Sequence, residues 1–181
     1  MAESEEEFGL RPLASTDNFK RISVGEEEYL PLKVFAQRHS QRHQNENLAR
    51  TYVIVAMGND AIVGYITLIC SEVSTEKNAP LVQGDGLHFP YESYPAVKIA
   101  RLLVDSKWRG TGANLGTRLV NFAQGIAREV ICPAVGCRFI VVNSKKPSVK
   151  FYEKCGFTIL DTPDNRARTE PVMYLDLHRG T

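Results

Sequence analysis

The sequence predicts an α/β fold, a mixed central sheet flanked by helices on both faces, and three observations carry that expectation. Apolar β-rich runs alternate with stretches of helical periodicity along the chain. Two such runs, TYVIVAM (51–57) and AIVGYITLICSEV (61–73), are separated only by the turn GND (58–60), the pattern of an antiparallel hairpin. A further run, VKIARLLVD (97–105), passes through the glycine-rich turn WRGTGAN (108–114) into LGTRLVNFAQGIAREV (115–130). There Leu115, Leu119, Phe122, Ala123, Ile126 and Ala127 recur at helical spacing.

The remaining elements follow in order. EFGLRPLAS (7–15) reads as a first strand. Residues 26–47 begin acidic and end basic, which suits a helix dipole, and Pro31 belongs near a first turn. Segment 74–94 is long, polar and aromatic, as functional or disordered loops are. CRFIVVN (137–143) reads as a buried strand, KPSVKFYEKCGF (146–157) as a short helix closing on Gly156, and PVMYLDL (171–177) as a last strand. No repeat or proline-rich linker interrupts the chain, so one domain over 1–181 is expected, with an acidic, flexible start at 1–7.

Composition narrows the class. With 181 residues, 43% hydrophobic and 24% charged, one soluble domain with a sizeable core is expected. The longest apolar run, 61–70, is far shorter than the roughly 20 residues of a membrane span. MAESEEEF is acidic and lacks an apolar core, so no secretory signal is expected. Cys70, Cys132, Cys137 and Cys155 form no C-x-x-C pair and the histidines no metal pattern, which predicts free thiols, a cytoplasmic setting and no metal. The net charge of +1 conceals a basic body, because Glu3, Glu5, Glu6 and Glu7 crowd the first residues. That balance suits an anionic cofactor or RNA and proves neither.

A glycine turn opening a helix presents free N–H groups and the positive end of a dipole, and so fits an anion. Gly110 and Gly112 let a ligand approach the backbone, and Arg109 offers a cation. A Walker loop is excluded by the missing Gly-Lys-Ser/Thr. A dinucleotide fingerprint would need a third glycine. Alone, the turn is better explained by turn chemistry than by ligand binding.

Together with VVNSKKPSVKFYEKCGF (141–157), however, the chain resembles the GCN5-related N-acetyltransferases, the GNAT superfamily. Their first signature is an apolar strand ending in Val-Asp, then Gln/Arg-x-x-Gly-x-Gly/Ala. It is matched by Val104-Asp105 and by Arg109, Gly110, Thr111, Gly112, Ala113 and Asn114. Their second, Phe-Tyr-x-x-x-Gly-Phe, is matched by Phe151 to Phe157. Asn114 departs from the pattern: either it takes the last position of the first signature, or Gly116 does.

The resemblance, which spans Arg50 to Asp176, implies acetyl-CoA as co-substrate and no metal. It places the pantetheine arm beside Leu102, Leu103 and Val104, and the pyrophosphate on N–H groups from Gly110 to Leu115 with Arg109 alongside. A backbone N–H near Leu103 or Val104 would stabilise the oxyanion. Tyr152, at the cofactor, would be the general acid, since a phenol keeps its proton at neutral pH; packing alone is the other reading. Asn143 would contact the cofactor or simply cap its strand. Among Glu72, Asp85, His88 and Glu92 nothing singles out a general base.

A second, weaker resemblance covers residues 24–55 and points to the GNAT toxins of toxin–antitoxin pairs. It rests on a helix rich in arginine, histidine and glutamine, followed by Arg50-Thr51-Tyr52-Val53, with Ser23-Val24-Gly25 partly matching the usual opening. Arg38, His39, Arg42 and His43 would then face tRNA, or form a solvated helix face. The expected function is acetyl-CoA-dependent acetylation of a primary amine of a small molecule or protein. The alternatives are acetylation of aminoacyl-tRNA and a non-catalytic CoA-binding module. An exposed edge strand near 155–177 would allow a homodimer.

Overall fold

The computed structural model describes residues 7–74 and 93–178. The long loop expected over 74–94, with Asp85, His88 and Glu92, therefore falls almost wholly outside the described residues; Ser93 and Tyr94 belong to a strand. Seven strands form one mixed sheet in the order β1-β2-β3-β4-β5-β7-β6. They are β1 (Phe8–Pro12), β2 (Arg50–Ala56), β3 (Ala61–Ser74), β4 (Ser93–Val104), β5 (Phe139–Asn143), β6 (Thr158–Ile159) and β7 (Val172–Asp176). β1 runs antiparallel to β2 and β2 to β3, β4 and β5 are parallel, and β7 is antiparallel to both β5 and β6. The chain divides into two compact units, Met1–Ile69 with Ala100–Phe122, and Cys70–Ile99 with Ala123–Thr181.

In the first unit the hairpin across 58–60 forms as expected, with Ala56 opposite Ala61. Its core gathers Phe35, Val53, Val55, Ile62, Tyr65 and Leu103, and also Leu13, Phe19 and Ile22 from the irregular segment after β1. Each such side chain contributes roughly 1.5–3 kcal/mol when fully buried. The Tyr65 hydroxyl is satisfied by donating to the Leu32 carbonyl at 2.7 Å. The single helix expected over 26–47 is instead a 3₁₀ turn (Glu27–Tyr29), α1 (Leu30–Arg38) and α2 (Ser40–Asn45). His39, at φ −125°, leaves the helical region between them. The buried Ser40 hydroxyl bonds back to the Ala36 carbonyl at 2.5 Å, a local competitor that bends helices.

In the second unit Val73, Tyr94, Ala96, Phe139, Val141 and Leu160 make the core, and Phe139 meets Tyr94 and Tyr174 edge-on at 5.7 and 5.8 Å. The helix expected over 115–130 is α3 (Leu115–Ile126), followed by a π-helical turn (Ala127–Ile131) and α4 (Cys132–Val135). The helix expected over 146–157 contracts to a 3₁₀ turn (Lys146–Ser148) and α5 (Val149–Lys154). α6 (Pro163–Ala167) and β6 carry no apolar periodicity and were not expected. Both depend on buried Asn165, whose side chain bonds the Leu160 and Val172 carbonyls and the Val172 N–H.

Candidate active site

The glycine turn is built from the end of β4 outward. Asp105, buried, donates its N–H to the Val63 carbonyl at 2.8 Å, continuing the sheet. Its own carbonyl then accepts from Trp108 and Arg109 N–H at 2.9 and 3.1 Å, which turns the chain. The side-chain carboxylate accepts from Lys107 N–H at 2.9 Å and from Ser23 N–H at 2.8 Å. Asp105 was visible in the sequence only as the last letter of the Val-Asp signature. The structure makes it the hub on which the turn is hung.

Beyond this hub the backbone is open. Gly110 sits at φ 73°, where a side chain would be strained, and a Cβ on Gly110 or Gly112 would meet nothing within 4 Å. Thr111 N–H and Asn114 N–H are used within the turn. Among the described residues, the N–H groups of Gly110, Gly112 and Ala113 find no acceptor. Arg118 N–H bonds the Asn114 carbonyl at 3.0 Å and so closes the first turn of α3. The N–H groups of Leu115, Gly116 and Thr117 therefore lie in the stretch where a helix has no acceptor of its own. Together they make a row of donors at the positive end of a helix, which suits an anion.

Asn114 resolves the choice left open by the signature. It adopts φ 50°, its side chain donates to the Gly112 carbonyl at 3.0 Å, and the helix begins immediately after it. Asparagine is one of the few residues that tolerates that region. Gly116 lies inside the helix.

Arg109 does not turn toward the open loop. Its guanidinium pairs with Glu26 at 2.5 Å, donates to the Val24 and Val104 carbonyls at 2.8 and 3.2 Å, and lies 4.6 Å from the Tyr29 ring centroid. The cation expected to meet a ligand instead fastens the 23–29 segment to the turn. The Thr111 hydroxyl is similarly spent on the Trp108 carbonyl, and buried Leu115 anchors α3. Leu102 is half-buried, Leu103 and Val104 buried. All three lie past Ile99, the last β4 residue in the register with β5, so the strand runs on beyond that pairing.

In the second unit, Tyr152 lies on α5, packed edge-on between Phe151 (4.9 Å) and Phe157 (5.4 Å). Gly156, at φ 91°, lets the chain reverse so that Phe157 N–H bonds the Tyr152 carbonyl at 3.0 Å, which explains the glycine of the second signature. Burial, and secondarily Cys155, push the Tyr152 phenol well above its usual range, so it holds its proton throughout neutral pH. Asn143 ends β5, exposed, opposite Val172, and its side chain makes no capping bond.

With this sheet order and strand–glycine-turn–helix unit in place, the chain belongs to the acetyltransferase (GNAT) family, whose model matches residues 16–157. It is accordingly an N-acetyltransferase with acetyl-CoA as co-substrate. Several solved structures share the fold. AtaT complexed with acetyl-methionyl-tRNAfMet has a TM-score of 0.77 at 23% identity, over 94% of this chain and 95% of that one. AtaTR bound with AcCoA gives 0.72 at 24%, over 94% of each chain. A mutant of KacT gives 0.72 at 20%, over 95% and 96%. At these identities the likeness establishes the fold. No curated protein matches the chain in sequence.

Proposed function

We propose that the donor row from Gly110 to Leu115 carries the pyrophosphate of acetyl-CoA and that Leu102–Val104 line its pantetheine arm, within a single acetyltransferase domain. The observation that carries this reading is the unpartnered N–H set at Gly110, Gly112 and Ala113, facing open space ahead of α3. Tyr152, a phenol protonated at neutral pH, then gives its proton to the departing thiolate. The acceptor is a primary amine of a small molecule or protein. The four free cysteines fit a cytoplasmic setting, and among the described residues no helix is long and apolar enough to cross a membrane. The test is acetyl transfer to a panel of amines by wild type and Tyr152→Phe. Turnover on some amine that the variant loses supports the reading; equal turnover by both removes Tyr152 from the mechanism.

A second reading, acetylation of aminoacyl-tRNA, is favoured by one specific feature. α1 and α2 carry Lys33, Arg38 and Arg42 and no acidic residue. Beside them, the Arg101 guanidinium lies 3.7 Å from the Phe35 centroid, with no carboxylate paired to it among the described residues. Phe35 in turn touches His43 and His39, at 5.1 and 6.2 Å between ring centroids. Such a surface suits a phosphate backbone, and structural similarity to AtaT, solved with acetyl-methionyl-tRNAfMet, points the same way.

A further inference from the structure

The acetyltransferase reading makes no use of two thiols that the fold brings together at the start of β5. After α4 the chain doubles back on itself. Gly136 N–H bonds the Cys132 carbonyl at 3.1 Å, and the Cys132 thiol donates to the Cys137 carbonyl at 2.9 Å. The Cys137 thiol lies in the same turn, donating to the Phe139 carbonyl at 3.4 Å. Cys132 is partly exposed, while Cys137 is buried. Cys132 is thus the more accessible of the two residues.

We propose that Cys132 and Cys137 form a reversible oxidation site, closing to an intramolecular disulfide when a hydroperoxide reaches Cys132. The Cys132 sulfur attacks the distal peroxide oxygen. The O–O bond breaks, an alcohol or water leaves, and Cys132 becomes a sulfenic acid. The Cys137 sulfur then attacks that sulfur, the S–S bond forms, the S–O bond breaks, and water departs with the Cys137 proton. The balance is two thiols and one hydroperoxide giving one disulfide, one alcohol (or water) and one water. The order of attack follows from the surroundings. Burial, then the neighbouring Cys132, push the Cys137 thiol up to about 11, so it is a poor first nucleophile. Carried by the residue whose carbonyl the Cys132 thiol already contacts, it is well placed as the resolving thiol. The disulfide would pin α4 to the first residue of the segment that leads into β5.

The test is peptide mapping of the full chain after hydrogen peroxide treatment and alkylation of the remaining thiols. The expected result is a mass loss of about 2 Da, two alkylated cysteines fewer, and a single closed peptide spanning 132–137 that dithiothreitol reopens. Cys137→Ser is expected to leave Cys132 as a sulfenic acid that dimedone traps, and Cys132→Ser to abolish the mass loss. Four alkylated thiols after peroxide, or a disulfide joining any other pair, would overturn the proposal. The wild-type map decides the matter even if a variant fails to fold, and it is independent of whether the chain binds acetyl-CoA.

Discussion

Ser23 and Asp105, 82 residues apart in sequence, are joined by a 2.8 Å hydrogen bond from the Ser23 N–H to the Asp105 carboxylate. The same carboxylate holds the Lys107 N–H, and Ser106 N–H bonds the Ser23 carbonyl at 2.9 Å. The segment before α1 and the turn before α3 are therefore one structural piece. Asp105→Ala would leave the part-buried N–H groups of Ser23 and Lys107 without this acceptor, at roughly 1–2 kcal/mol each. A fall of about 2–4 kcal/mol in denaturant-derived stability is expected, with weaker acetyl-CoA binding. Asp105→Asn, which keeps one acceptor oxygen, should recover part of both.

Tyr152→Phe separates chemistry from packing. The ring stays between Phe151 and Phe157. Melting temperature should be nearly unchanged, while kcat falls by about 10²–10⁴-fold, the usual loss of a general acid. The KM for acetyl-CoA should move little. A variant that is fully active but unstable would mean that Tyr152 only packs.

Stability should have an alkaline and an acid limb, each with a named source. Burial raises the phenols of Tyr65 and Tyr152 in the native state, so the folded chain keeps protons that the unfolded chain releases above pH ~10. Their contribution is full below that pH and is lost as pH rises beyond it. Asp17 is the opposite case. Its hydrogen bonds from the Arg11 guanidinium, at 2.7 and 2.8 Å, hold the carboxyl below its usual range. That contribution is present above pH ~4 and is lost as pH falls through the native value. Chemical denaturation across pH, repeated with Asp17→Asn, checks the acid limb.

Arg101→Met discriminates between acceptors. If the acceptor is aminoacyl-tRNA, its affinity should fall about tenfold and the slope of log affinity against log salt should shrink by about one. If the acceptor is a small amine, neither changes. Acetyl-CoA binding measured on the same variant reports whether the fold survived.

The sequence made the hairpin, the glycine turn and both signatures legible because each is encoded locally, in periodicity or in a fixed spacing. Long-range contacts were not legible. Leu13, Phe19 and Ile22 lie in a segment with no periodicity, yet they fill the core of the first unit. Arg109 read as a cation for a ligand, but Glu26 and two backbone carbonyls, brought close only by folding, claim it. α6 was hidden because Asn165, a polar residue in a polar stretch, acts from within the fold. Asn114 is intermediate. Its tolerance of positive φ was foreseeable, whereas the helix start right behind it is set by the folded turn.

The central claim is that the turn before α3 carries acetyl-CoA. Titration calorimetry of acetyl-CoA into the wild-type chain and into Gly112→Glu tests it most directly. The new side chain has open space and so leaves the fold intact, but it sets a carboxylate where the pyrophosphate would lie. Saturable micromolar binding by wild type, weakened roughly tenfold or more in the variant at equal melting temperature, is the expected result. Equal affinity in the two proteins would contradict the account and move the cofactor away from this turn.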